Sequence, residues 1–172
     1  MKKVLEVRHL TKRYGQHLAL DNVNLTLEKG EVYGLIGRNG AGKTTLIKVI
    51  TKLTRPSQGS VSLFHSTSKS EWTHALKRVG SVIETPVALN HLNARQNLRY
   101  YCKIHHVPNP DKVIDEILDT VGLGHTGKKK FRSFSLGMKQ RLGIAIALIS
   151  IFFIQLPPTP FPSLPPRFWY RF

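Results

Sequence analysis

Three observations predict an α/β fold built around a phosphate-binding loop. Gly37-Arg38-Asn39-Gly40-Ala41-Gly42-Lys43-Thr44-Thr45 matches the pattern G-x-x-x-x-G-K-[ST] without a mismatch. The apolar run Val32-Tyr33-Gly34-Leu35-Ile36 just before it reads as a short buried strand, and Thr44 to Ile50 just after it reads as the start of a helix. A glycine-rich bend lets consecutive backbone N–H groups point into one concavity, and the positive end of the following helix adds to that field. In such a loop Lys43 reaches the β- and γ-phosphates and the Thr44 hydroxyl takes a place on Mg²⁺. Gly37, Asn39, Gly40, Ala41, Gly42, Lys43, Thr44 and Thr45 are therefore the candidate nucleotide contacts. A glycine-rich turn before an ordinary helix is the bland alternative, and the strand and helix on either side argue against it.

At 172 residues the chain can hold one domain of ordinary size with a proper core. Its apolar and charged fractions, 41% and 21%, are those of a soluble globular protein. A single cysteine, Cys102, excludes an internal disulfide and fits a reducing cytoplasm. Met1-Lys2-Lys3 runs straight into a strand-like segment, so no signal peptide is expected. The net charge of +16 raises nucleic acid or an anionic membrane surface as partners. The basic residues are scattered, however, apart from Lys128-Lys129-Lys130 with Arg132, and no arginine–aromatic platform occurs; nucleic acid is not expected.

In order, Val4 to Leu10 alternates as a first strand, and Thr11 to Gln16 is a polar turn holding Tyr14. Asn22 to Glu28 alternates strictly, and Lys29-Gly30-Glu31 turns into the loop-bearing strand. The helix opened by Lys43 ends before the breaker Arg55-Pro56-Ser57-Gln58-Gly59. Ser60 to Phe64 is a further strand, Glu71 to Lys77 a short helix, and Val79 to Ile83 a buried strand stopping at Glu84-Thr85-Pro86. From Asn90 to Lys130 the pattern is helical. Asn93 caps a helix running through Ile104, and Asn109-Pro110-Asp111 starts another with a cap, a first-turn proline and an acid at the positive end. Val113, Ile114, Ile117, Leu118 and Val121 form its core stripe, closed by Gly122. His105-His106 points two ways on a helix and reads as a surface pair, not a metal site.

A strand, a turn with Tyr14, an alternating strand, Lys-Gly-Glu and then the phosphate loop resemble an ATP-binding subunit of an ABC transporter. The fold implied is a P-loop NTPase core with an N-terminal antiparallel β part and a helical subdomain, and the ligands implied are ATP and Mg²⁺. The resemblance makes Tyr14 the residue that stacks on adenine; alone it would be a half-buried turn aromatic. Glu84 stands where most of the family has Gln, a residue that touches metal and water. A Glu there is similar to the exporters of peptide antibiotics, the bacitracin and lantibiotic type, and could ligate Mg²⁺ or orient water; a solvated strand-end carboxylate is the alternative. Phe134-Ser135-Leu136-Gly137-Met138-Lys139-Gln140-Arg141 resembles the family signature, with Leu136 and Met138 as departures. Ser135 and Gly137 would then hold the γ-phosphate bound by a second subunit, although Ser-x-Gly can also be a plain helix cap. The resemblance further implies an ATP-linked homodimer, a membrane-spanning permease partner, and a cytoplasmic place at the inner face of the membrane.

The resemblance covers residues 1–150: an ATP-binding core over 1–84, then a helical subdomain and signature helix over 85–150. In the family a buried strand ending in Asp-Glu follows within about ten residues of the signature helix, the Asp on Mg²⁺ and the Glu activating water. Here all ten acidic residues lie at or before Asp119. Residues 151–172 hold six of the ten prolines, five of the eight phenylalanines and no Asp, Glu or His. The catalytic Glu and the switch His are absent, and 151–172 is expected to be an aberrant, disordered tail on a chain incomplete at its C-terminus. A frame slip at residue 150 alone restores no Asp-Glu. The expectation is an ATP-binding transport subunit that does not hydrolyse at a family-like rate; the alternative is a non-catalytic regulatory or interaction module.

Overall fold

The computed structural model describes residues 2–66, 68–83 and 88–155, the last six of these by their backbone alone. β1 (Lys3–Tyr14) and β2 (His17–Glu28) form a long antiparallel hairpin closed by Gly15-Gln16, and β3 (Gln58–Leu63) pairs antiparallel with the other side of β1, giving the order β2-β1-β3. The turn is therefore shorter, and both strands longer, than alternation alone indicates. The irregular apolar phase of β1 has a local cause. Leu5 and Val7 are buried, then Leu10, because the register slips between Val7 and Leu10, where His9 has a φ of 48°. An extra residue in one strand flips every later side chain to the other face. The irregularity is held by Asn24, whose Oδ1 accepts from the His9 N–H at 2.9 Å, and by the His9 ring against Asn22 at 2.9 Å.

α1 (Lys43–Ile50) lays Leu46 and Val49 on this sheet, and α2 (Lys69–Leu76) adds Ala75. Together with Leu5, Val7, Leu10, Leu20, Val61 and Leu63 they form one buried cluster. α2 begins with a capping box: Ser68 Oγ accepts from the Glu71 N–H at 3.1 Å, while Glu71 accepts from the Ser68 N–H.

Two expected strands are not formed. Residues 31–38 and 79–83 carry no strand, and Val32 and Ile36 are 78% and 96% exposed. The physical reason is pairing. A parallel strand buried on both faces needs a hydrogen-bonded neighbour and covering layers, and among the described residues neither run pairs with a strand.

A second buried cluster is helical. α3 (Ala94–Ile104), α4 (Pro110–Thr120) and α5 (Leu136–Gln155) bring together Leu98, Cys102, Ile114, Ile117, Leu118, Val121, Leu142, Ala145 and Ile149, with Leu123, Phe131 and Phe134 from the connection between α4 and α5. Asn93 caps α3 as expected, and Gln96 completes a capping box. Asn109 does not cap α4 with its side chain; it sits at φ 48°, and Pro110 and Asp111 carry the helix start. Val113 is only half-buried, so the stripe on α4 is Ile114, Ile117 and Leu118, continued by Val121. Outside, Arg95 pairs with Asp115 and Arg99 with Asp111 across α3 and α4. Exposed pairs of this kind contribute up to about 1 kcal/mol each.

Glu84, with residues 85–87 and 156–172, lies outside the described residues, as does most of the Pro/Phe-rich segment.

Candidate functional site

The candidate site is built from the segment between Gly37 and α1. Gly40 and Gly42 have φ of 85° and 82°, in the left-handed region where an L side chain is strained. These two bends fold the loop so that α1 starts at Lys43. Gly42 also lies against β2: a Cβ there would stand 2.4 Å from the Ala19 carbonyl oxygen and 2.9 Å from Leu20 Cδ2. The loop is thus seated on the hairpin, and only glycine fits that seat.

Unlike α2 and α3, α1 has no side-chain cap, and unlike α2 it has no acidic residue in its first turn. Its first-turn N–H groups, with the positive end of the helix, are left for an acceptor from outside the helix. The Lys43 ammonium is folded back over the loop, donating to the carbonyls of Gly37 at 2.6 Å and Arg38 at 2.8 Å. Both of these partners are neutral carbonyls, so neither contact neutralises the ammonium. Thr44 is exposed and Thr45 half-buried at the start of α1. Backbone N–H groups, one ammonium and one hydroxyl make a donor set suited to a polyphosphate and its Mg²⁺, so the residues present fit both groups. Gly37, Asn39, Gly40 and Ala41 are all exposed around this concavity.

Tyr14 stands at the tip of the same hairpin, half-exposed at 46%, with the Lys12 ammonium 4.7 Å from its ring centre. β1 and β2 pair Lys12 with Leu20 and Tyr14 with His17, so Tyr14 lies a few residues along the ribbon from the seat of Gly42. The structure therefore places the candidate adenine stack and the phosphate loop on one hairpin.

Ser135 and Gly137 belong to the other cluster. Ser135 Oγ accepts from the Met138 N–H at 3.3 Å and its carbonyl accepts from the Lys139 N–H at 2.9 Å, which is a helix N-cap. The cap and an anion site do not exclude each other, since Leu136 and Gly137 are exposed beside it and a side chain on Gly137 would meet open space. α5 packs on α3 and α4, whereas α1 packs on β2, so the two candidate anion sites rest on different scaffolds.

The sequence reading missed Asn97. It is the only fully buried polar side chain among the described residues. Its Oδ1 accepts from the Leu89 N–H at 2.7 Å, and its Nδ2 faces the carbonyls of Leu89, Leu92 and Asn93 at 3.2, 3.4 and 3.0 Å. The signal was available: Asn97 falls on the helical face of Ala94, Leu98 and Cys102, and a polar residue on an apolar stripe must find partners. The buried Cys102 thiol is pushed above its ordinary pKa by that burial, and it takes no part in the site.

Residues 20–153 match the sequence profile described as ABC transporter. The bacitracin transport ATP-binding protein BcrA of Bacillus licheniformis is 42% identical over 149 residues, which are 87% of this chain and 48% of that protein. The lantibiotic transport ATP-binding protein SrtF of Streptococcus pyogenes is also 42% identical, over 86% of this chain and 62% of its own length. The chain thus spans roughly half to two thirds of these relatives. Among solved structures, cbiO1 from Clostridium perfringens, part of the ABC transporter complex cbiONQ, superposes with a TM-score of 0.74 at 25% identity, over 87% of this chain and 62% of its own. An ATP-binding subunit of another ABC transporter gives 0.72 at 28% identity, over 86% of this chain and 62% of its own. With its phosphate loop seated on an antiparallel hairpin and a helical cluster carrying the Ser-x-Gly cap, the chain belongs to the ABC transporter family.

Proposed function

We propose that this chain is the ATP-binding part of a transport subunit that serves peptide-antibiotic export, as the names of its bacitracin and lantibiotic relatives suggest. The observation that carries ATP binding is the uncapped start of α1 beneath a glycine-rich loop, with Lys43 poised over it. Lys43 and the loop N–H groups bind the β- and γ-phosphates, Thr44 takes a place on Mg²⁺ with Glu84, and Tyr14 stacks on the base. Mg²⁺ neutralises charge between the phosphates when bound. Ser135 and Gly137 face the γ-phosphate held by a second copy, and a membrane-spanning permease receives the resulting movement. The division of labour follows the chain, with the nucleotide half in 1–84 and the helical half in 85–150. Among the described residues no helix is long and apolar enough to cross a membrane, and the subunit acts from the inner face as a peripheral partner.

A second reading is favoured by one observation. No carboxylate side chain follows Asp119, so residues 120–172 supply neither a metal-holding Asp nor a water-activating Glu. Such a chain binds MgATP as a non-catalytic nucleotide-sensing module. One experiment tests both. Equilibrium titration with a fluorescent ATP analogue should show Mg²⁺-dependent binding, and single-turnover phosphate release should stay at the uncatalysed level. Robust phosphate release would overturn the non-catalytic reading, and absence of saturable binding would overturn both.

A further inference from the structure

The buried amide of Asn97 is used neither by the phosphate loop nor by the Ser135 cap, yet it holds several partners at once. Through its Oδ1 and Nδ2 it grips both the N–H and the carbonyl of Leu89, as a strand neighbour would. It also donates to the Asn93 carbonyl at 3.0 Å, within the first turn of α3. The segment 89–93 clamped in this way is stitched to the connection that leads into α5. The Phe131 N–H donates to the Leu92 carbonyl at 2.9 Å, the Arg132 N–H to the Asn90 carbonyl at 3.2 Å, and Asn93 bridges Lys130. Phe131 and Phe134 then lock this connection into the helical cluster, with ring centres 5.9 Å apart. The next residue is Ser135.

We infer that Asn97 is a positioning residue: by clamping residues 89–93 against residues 130–132, it fixes the aim of the Ser135–Gly137 anion site. The inference rests on reading Ser135 and Gly137 as part of ATP recognition. Its physical basis is the lack of slack. A fully buried amide whose donors and acceptor are all engaged cannot turn without leaving polar groups unpaired, so a pull on Leu89 is passed to residues 130–132 rather than absorbed.

Hydrogen exchange on the full chain, read by mass spectrometry with and without MgATP, tests this on Asn97→Leu. Asn97→Ala, whose smaller side chain leaves room for water, serves if circular dichroism shows the first variant unfolded. Without nucleotide, the variant should exchange about tenfold faster at Leu89, Phe131, Arg132 and Met138, with the α4 amides from Ile114 to Leu118 little changed. With MgATP, protection within 37–46 should appear in both proteins, and protection within 130–138 in the wild type alone. Uniform acceleration across α3, α4 and α5 would make Asn97 a contributor to stability only and overturn the inference. ATP-dependent protection of 130–138 that survives in the variant would overturn it as well. Absence of any MgATP effect at 37–46 in the wild type would strike the nucleotide reading instead, and the nucleotide-free comparison would still decide the role of Asn97.

Discussion

Gly42→Ala tests the geometry of the phosphate loop more sharply than a substitution of the lysine does. Two costs add at this position. The residue stands at φ 82°, and the left-handed conformation costs an L-residue about 1–2 kcal/mol. The new Cβ would also lie 2.4 Å from the Ala19 carbonyl oxygen and 2.9 Å from Leu20 Cδ2. Leu20 can turn, but the Ala19 oxygen belongs to a paired strand and cannot yield cheaply, and overpacking of this kind costs about 1–3 kcal/mol. Gly40→Ala isolates the first cost, because Gly40 has φ 85° and a Cβ at that position would meet nothing within 4 Å. For a protein of this size 1 kcal/mol lowers Tm by about 2–4 °C. Gly40→Ala should therefore lower Tm by about 2–8 °C and Gly42→Ala by about 4–20 °C, with the difference between them as the decisive quantity. If the loop lifts from β2 to relieve the clash, the cradle is lost, and about 1.4 kcal/mol of that strain is already a tenfold loss of MgATP affinity. Thermal melts and a fluorescent-nucleotide titration on both variants give the two numbers. Equal melting points for the two variants, or wild-type affinity in Gly42→Ala, would refute the seating of the loop on the hairpin.

Three further outcomes are expected. Lys43→Met removes a charge-assisted contact to phosphate worth about 2–3 kcal/mol, so nucleotide affinity should fall by about 30- to 150-fold; retained affinity would remove Lys43 from the site. The Cys102 thiol is buried, and burial holds its pKa above the ordinary value, so a thiol-specific reagent should react only as fast as the helical cluster opens and should speed up in sub-denaturing urea; immediate stoichiometric reaction in buffer would contradict that packing. The Glu6 carboxyl is held below the ordinary glutamate value by hydrogen bonds from the Lys3 ammonium and the Arg8 guanidinium. Because the folded value is depressed, its stabilisation is present above the unfolded pKa and is lost as pH falls through the folded one. An NMR titration should place Glu6 below the ordinary glutamate value and move it upward in Lys3→Ala; a wild-type midpoint that is not lowered, or one that Lys3→Ala leaves in place, would exclude the Lys3 bond as the cause.

What was legible in the sequence shares one property: the signal and the structure it specifies are contiguous. The phosphate loop is read from nine consecutive residues because its chemistry is made by consecutive backbone N–H groups. The start of α3 is read from Asn93, since the capping bond is local. Tyr14 reaches the hairpin tip because Gly15-Gln16 closes the turn. The misses have the opposite property. Asn97 does its work on Leu89, Leu92 and Asn93, and what those contacts hold in place is the segment 130–132, far along the chain.

The two unformed strands carry that contrast to its physical root. Val32 to Ile36 has the composition of a buried strand, yet Ile36 is 96% exposed. An apolar run states which residues gain from leaving water. It does not supply the surface that takes them out of it. For the antiparallel hairpin that surface is the neighbouring strand, delivered by a two-residue turn, so β1 and β2 form. For a parallel strand the partner arrives only after a crossover of a dozen or more residues. The run before the phosphate loop therefore depends on a remote strand for every ladder bond. None pairs with it among the described residues, whereas Gly42 still rests on Ala19 and Leu20. The loop is consequently anchored on its helix side and unsupported on its strand side. Adding a strand to the exposed 32–36 edge should tighten nucleotide binding without any new contact to the nucleotide, because the cost of ordering the loop would already have been met.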